Sequence, residues 1–336
     1  MRLLAFSDIH HNLVAVRKLR ASEKNSFDAI IVAGDIGSNS ASEFFKILST
    51  FKCPILYVYG NWDDKLGYRT SFGRNCHLLQ SNMVTVGDLH FTGFSGCPTR
   101  WGKNPIARRL YREVEQTHKA VSDAHSRAEA LVWKQAKIVG FEKAVKPLKK
   151  ITSTKAYQKY AEQLRSAGRE ILRLNRESIG KAVKRAGIDP RKCVVITHQR
   201  LTRLSDEVPG ALLHLFGHLH AFSEHTFKMT KYVNVAALDR PVSARPRAKK
   251  EWEKEHCRNF NGGNYATIEI KSSQAIKIQC VDLRHEYPNW IPLEDRRYNG
   301  IEWIPEEAKW TNASDLPILQ YEVWRSPRIA KPHVPA

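Results

Sequence analysis

Leu3-Leu4-Ala5-Phe6-Ser7-Asp8-Ile9-His10 decides the fold. An apolar run of strand length breaks off into a carboxylate and an imidazole. The same design returns in Ala29-Ile30-Ile31-Val32-Ala33-Gly34-Asp35 and in Ile55-Leu56-Tyr57-Val58-Tyr59-Gly60-Asn61-Trp62-Asp63. Far downstream it returns as Val194-Val195-Ile196-Thr197-His198 and as Leu212-Leu213-His214-Leu215-Phe216-Gly217-His218-Leu219-His220. The runs are rich in β-branched and aromatic residues, which favours strands. Between the first three lie helical patterns: Leu13, Val16 and Leu19 at helical spacing, and a helix over 41–51. Strands alternating with helices predict an α/β fold with adjacent parallel strands. Ligands of such sheets gather at the carboxyl ends of the strands. Five strand ends delivering only Asp, Asn and His therefore suggest one metal site. Carboxylate, amide and imidazole donors suit Mn, Fe, Zn or Co, and the missing cysteine argues against a structural zinc knot. Seven ligands suit two ions better than one, if a carboxylate bridges.

In this order, D-x-H, G-D, G-N-x-D, a lone His after a strand and G-H-x-H resemble the calcineurin-like metallophosphoesterase family. The match covers roughly residues 1–100 and 190–280. The resemblance implies a two-sheet metallophosphoesterase sandwich flanked by helices. It implies two divalent ions, with Mn favoured. Asp8, His10 and His220 would hold the first, Asn61, His198 and His218 the second, and Asp35 would bridge. One position departs from the pattern. The family commonly has His third in G-N-H-D, where it protonates the leaving group; here that residue is Trp62, whose indole N–H cannot supply a proton at neutral pH. Losing a general acid typically costs about 10²–10⁴-fold in rate. Some relatives with a non-His residue here look like phosphodiesterases. Candidate substitutes are His11, His225 and Arg200, the last expected to hold a phosphate oxygen.

The 336 residues suffice for one large domain or two smaller ones. No apolar stretch reaches the about 18 residues of a membrane-spanning helix. The first strand starts at the N-terminus and already carries a candidate ligand, so a cytoplasmic protein is expected. The six cysteines are scattered without a C-x-x-C, which fits thiols in a reducing compartment. Fifty-four Lys and Arg against thirty-four Asp and Glu give +20, a charge that points to a polyanion such as nucleic acid.

That excess is local. From Arg100 to Asp189 there are 22 basic and 9 acidic residues, a net +13. Leu110, Val114, Thr117, Val121, Ala124, Ala128, Leu131 and Ile138 form a heptad-like seam, and Tyr157, Tyr160, Leu164, Ala167, Ile171 and Leu174 form another. Pro147 stands between them. The reading is a basic helical hairpin, residues 103–189, inserted into a discontinuous core of 1–102 and 190–285, followed by a Trp/Pro-rich extension over 286–336. Met83–Phe94 alternates around Gly87-Asp88 and reads as a hairpin leading to the Gly93-Phe94-Ser95-Gly96 loop. Asn234 stands in a V-N-x segment where the resemblance implies a Pro-Gly-Ser loop, replaced here by Val235-Ala236-Ala237. Residues 240–262 read as a loop.

The leading expectation is a dinuclear metal phosphodiesterase acting on nucleic acid, with the insertion as a phosphate-backbone arm. A phosphodiesterase or phosphatase for small nucleotides is the second. The third is a non-catalytic scaffold, because the family resemblance includes a retromer subunit that binds proteins. Against it, every predicted ligand survives.

Overall fold

The computed structural model describes residues 1–99, 103–139, 145–220, 222–235, 237–238, 263–272, 275–283, 296–298 and 303–305. The expected loop over 240–262 lies outside these residues. So does the extension, apart from a short antiparallel pair, Arg296–Tyr298 and Trp303–Pro305.

Two mixed six-stranded sheets face each other. The first contains β1 (Arg2–Phe6), β2 (Ala29–Val32), β3 (Ile55–Tyr57) and β4 (Cys76–Leu78), all parallel. The second contains β5 (Met83–Val86), β6 (Leu89–Phe94), β7 (Cys193–Thr197), β8 (Leu213–Phe216), β9 (Ser223–Phe227) and β10 (Thr230–Asn234). Its order is β5-β6-β7-β8-β10-β9, with β6, β7, β8 and β10 parallel. The chain ends its described core by adding β11 (Asn264–Ile270) and β12 (Ile276–Asp282) to the first sheet, β11 antiparallel to β1 and β12 antiparallel to β11.

Strand alternation explains the layers. In β1, Leu3 and Ala5 point between the sheets and pack with Val194, Ile196, Leu213 and Leu215. Leu4 and Phe6 point outward. They meet Val16 and Leu19 of α1 (Leu13–Ser22) and Phe44 and Phe45 of α2 (Ala41–Ser49). Each such buried side chain is worth about 1.5–3 kcal/mol. The β5–β6 hairpin forms where the alternation predicts it, with Gly87 at φ +54° in the turn. The short edge strands β4 and β9 carry no such alternation, so the sequence gives no sign of them.

The inserted segment is helical, but it is not a simple hairpin. It runs through α3 (Pro105–Thr117), α4 (Lys119–Val139), α5 (Lys146–Thr152) and α6 (Lys155–Ala186). The first seam breaks at His118, which caps α3 with non-helical backbone. Pro147 starts α5 rather than interrupting a helix, because a proline in the first turn of a helix loses no hydrogen bond. Thr154 caps α6 by accepting from the Tyr157 N–H, and Gly187 ends it in the left-handed region. The last turns of α6 cover the outer face of the second sheet. Ile179 and Val183 are buried with Phe94, Val195, Leu201 and Phe216. A division at residue 190 thus separates residues that pack as one cluster.

Candidate metal centre

All seven residues expected as ligands come from the carboxyl ends of β1, β2, β3, β7 and β8. Asp8 and Asp35 are 0% and 1% exposed, and His198 is 0% exposed. Burial of bare carboxylates is costly unless each finds a partner. Here they find histidines. His10 Nε2 lies 3.2 Å and His198 Nε2 3.3 Å from Asp35 Oδ2. His220 Nε2 lies 3.4 Å from Asp8 Oδ1, and His198 Nε2 lies 4.0 Å from the same oxygen. His218 Nδ1 is 3.3 Å from His198 Nε2. Donor atoms of Asp8, His10 and His220 converge within 4.8 Å of one another, and so do those of Asp8, Asp35 and His198.

The surrounding groups aim these donors. His198 Nδ1 sits 2.8 Å from the Ala33 carbonyl, so its proton is assigned there and Nε2 faces the cluster. The Ser7 hydroxyl donates to Asp8 Oδ2 at 2.5 Å, and the His218 backbone N–H donates to both Asp8 oxygens. The Trp62 backbone N–H donates to Asp35 Oδ1 at 2.8 Å. Asn61 Oδ1 is buried without a hydrogen-bond partner among the described residues, although Gly60 and Trp62 on either side both lie against Asp35. An orphaned amide oxygen next to convergent carboxylates and imidazoles fits a divalent cation as its missing partner.

Backbone strain marks the same place. Asp8 (φ +51°), His10 (+46°), Asp35 (+55°), His218 (+72°) and His220 (+51°) all adopt the left-handed region. Each costs on the order of 1–3 kcal/mol, and such strain persists where the surroundings over-determine it. The glycines of the motifs have a steric role. A Cβ on Gly60 would lie 2.1 Å from Asp35 Oδ1, and one on Gly217 would lie 2.3 Å from Ser7 Oγ.

Charge coupling sets the protonation of the metal-free cluster. Burial alone would lower His198, but Asp35, Asp8 and the Ala33 carbonyl together outweigh it and hold the imidazole up at about 9. Burial, with the neighbouring His198, pushes His218 down to about 4. Asp35 resists its burial because His198 and His10 hold it well below the usual carboxylate range. Burial and nearby Asp35 push Asp63 up to about 6, against the pull of backbone N–H groups.

Trp62 does not leave Asp63 stranded. Asp63 accepts from the backbone N–H groups of Ile36, Gly37 and Gly60, which ties the second motif to the third. The Trp62 indole stacks on His10, with centroids 4.4 Å apart and planes at 29°. His11 packs edge-on against Trp62 and faces Ser40 Oγ at 3.0 Å. Arg200 packs on Tyr232 of β10. Its guanidinium carbon lies 5.2 Å from the Tyr232 ring, and its charge adds to the burial that depresses the imidazoles of His214 and His225. His225 stacks on the same ring, with centroids 5.0 Å apart. Both therefore stand with the Tyr232 face of the second sheet. Cys97 gave no signal in the sequence, since no motif contains it. It is buried with Sγ 3.1 Å from Gln199 Oε1 and 3.9 Å from His218 Nδ1.

A two-sheet α/β sandwich with acids, an amide and histidines at five strand ends is the architecture of a metallophosphoesterase. The resemblance read from the motifs is borne out: residues 1–133 match the calcineurin-like phosphoesterase superfamily domain. Among curated proteins no sequence matches this chain. Solved structures with a similar course include TT1561 of Thermus thermophilus, at 12% identity and TM-score 0.45, covering 84% of this chain and 99% of that one. Phosphopantetheinyl hydrolase of Mycobacterium tuberculosis is similar at 14% identity and TM-score 0.32, covering 70% and 88%. Vps29 of Entamoeba histolytica, solved with zinc, is similar at 9% identity and TM-score 0.30, covering 84% and 99%. No helix among the described residues is long and apolar enough to cross a membrane.

Proposed function

We propose that this protein is a dinuclear metal-dependent phosphodiesterase whose substrate is nucleic acid. The observation that carries the reading is the buried convergence of Asp8, His10, Asp35, His198, His218 and His220 beside the unpartnered Asn61 oxygen. Asp8, His10 and His220 would hold one ion, Asn61, His198 and His218 the other, with Asp35 between them. Such a pair supplies a nucleophilic hydroxide near neutral pH and clamps the oxygens of a phosphoryl group.

The chain's own residues do the positioning. The Trp62 backbone N–H fixes one Asp35 oxygen and leaves the other facing His10 and His198. The Ala33 carbonyl keeps the His198 proton on Nδ1, so Nε2 stays available as a donor. The Trp62 indole stacks on His10 and helps to fix the orientation of its ring. No imidazole stands at position 62 to protonate a leaving oxygen. Esters with an acidic leaving group, which departs without protonation, are favoured over alkyl monoesters. The basic insertion, with +12 over residues 103–189, supports a polyanionic substrate.

The test is hydrolysis of a model diester with an acidic leaving group and of an alkyl monoester, with added manganese. The diester should turn over and the monoester should lag by about 10²–10⁴-fold, the usual worth of a general acid. Trp62→His should raise monoester turnover selectively. Efficient wild-type cleavage of alkyl monoesters would show that another group delivers the proton.

A further inference from the structure

A cavity of about 550 Å³ lies between the loop that follows Asn61 and the first helix of the insertion. Tyr68 forms one wall, and Lys103, Arg108, Arg109, Arg112 and Glu113 form the other. Glu113 is its single acid, and Arg109 uses it at 3.7 Å. Lys103, Arg108 and Arg112 find no carboxylate within ion-pair distance among the described residues. Arg108 and Arg112 stand one turn apart on one face of α3, where like charges repel. A helix that keeps both exposed has them in place for something other than its own stability. Tyr68 is 37% exposed, one of few large aromatic groups so placed among the described residues, and its hydroxyl donates to the Lys103 carbonyl, which ties the two walls together.

Both walls of the cavity are tied to segments that carry the metal centre. One wall continues the Asn61 loop, held by Leu66 N–H to the Asp63 carbonyl and by the Tyr59 hydroxyl to the Gly67 carbonyl. The other begins at Asn104, whose amide donates to the Gly96 carbonyl, one residue before the Cys97 that touches His218. Three unneutralised cations call for phosphates. An exposed aromatic ring beside them calls for a base with a free π-face, which only an unpaired base offers. The volume suits one small-ligand unit, since such pockets run to roughly 300–1,000 Å³.

We propose that this cavity docks one nucleotide of a single-stranded nucleic acid next to the scissile phosphodiester, with Tyr68 stacking its base and Lys103, Arg108 and Arg112 holding the flanking phosphates. The assignment rests on reading the metal centre as a phosphodiesterase, but its test is a binding measurement that stands without catalysis. The full-length, metal-free protein is titrated with a fluorescent oligodeoxythymidylate across a salt series, with polyphosphate as a second probe. Arg108→Ala/Arg112→Ala should weaken oligonucleotide binding more than about ten-fold and flatten the log–log salt slope by about 1.4, two contacts at about 0.7 each. Tyr68→Ala should weaken oligonucleotide binding by roughly 5- to 150-fold, the worth of one stacked base, and leave polyphosphate binding unchanged. All three side chains are exposed, so circular dichroism of the variants should match the wild type. Turnover of a small model diester, which carries neither a base nor a flanking phosphate, should fall less than oligonucleotide binding. Unchanged oligonucleotide affinity in the double variant overturns the proposal. So does a Tyr68→Ala effect equal on polyphosphate and oligonucleotide, which would make the cavity a plain anion site. Parallel loss of model-diester turnover overturns it too, by showing that the walls shape the metal centre. If the wild type hydrolyses no diester yet shows the expected binding losses, the catalytic reading fails and the docking site stands.

Discussion

The metal centre and the distal part of the insertion are both crowded with charge, and they handle it in opposite ways. At the centre the charges are buried and compensate one another across great sequence distance: the Asp8 oxygens take the N–H of His218, 210 positions away. In the insertion the charges stay in solvent and pair with neighbours. Lys119 meets Asp123, Arg165 meets Glu162, and Arg173 meets Glu170 and Glu177, all one turn apart. Exposed pairs of this kind are worth little. Buried ones are costly to break, because the survivor is left uncompensated. One region therefore tolerates substitution and the other does not.

The sharpest break should come from a single methyl group. Gly60→Ala would put a carbon 2.1 Å from Asp35 Oδ1 if nothing moved, so the loop or the carboxylate must shift. Metal content and diesterase activity should fall by more than about 100-fold, beyond the about 10–100-fold cost of losing an outer partner. Metal analysis showing full occupancy would remove this steric argument.

Next comes the contrast within the insertion. Ile179 of α6 is fully buried against the second sheet, so Ile179→Ala should cost about 2–5 kcal/mol of stability. Leu131 of α4 is 39% exposed, and Leu131→Ala should stay within about 0.5 kcal/mol. Denaturant melts of the two variants check this directly. Similar losses for both would mean that the distal helices are as much part of the core as the last turns of α6.

The buried charges also predict a pH dependence with a definite sign. His198 is held at about 9 in the metal-free fold, above the ordinary 6.5 of an imidazole. Its stabilising contribution is therefore complete below about pH 6.5 and is lost as pH rises through 9. A metal ion must displace that proton, so metal affinity should rise over the same window. Thermal melts of metal-free protein should decline from pH 6.5 to 9 while calorimetry records proton release on metal uptake. Affinity that is flat with pH would show His198 already neutral.

The smallest structural effect should come from removing the distal helices. Replacing residues 119–162 with a short Gly/Ser linker keeps α3 and the half of α6 that packs on the sheet. Model-diester turnover should be unchanged, while affinity for long oligonucleotides drops modestly and the salt slope shrinks by about 0.7 per lost phosphate contact on single strands. Unaltered affinity would confine nucleic-acid binding to the part of the insertion nearest the metal centre.

The sequence by itself determined the central strands and the candidate ligands. Apolar runs that stop at Asp8, Asp35, Asn61, His198 and His218 specify strands, and strand ends are where such donors gather, because alternation along a strand is local information. The helical character of the insertion was equally legible from its apolar spacing. The break at His118 was not, since a heptad pattern can continue across a turn that tertiary contacts impose. Nor was the place of Arg200. Its position two residues after His198 suggested a phosphate contact, and its guanidinium packs on the Tyr232 ring, 32 positions on. Only the tertiary structure decided that α6 is half arm and half core, that Asp63 is satisfied by three backbone N–H groups, and that Tyr68 faces Lys103 and Arg108 across a cavity. The physical reason is the same each time. Periodicity records which face of an element is buried, while the identity of what covers that face depends on how loops far apart in sequence are brought together.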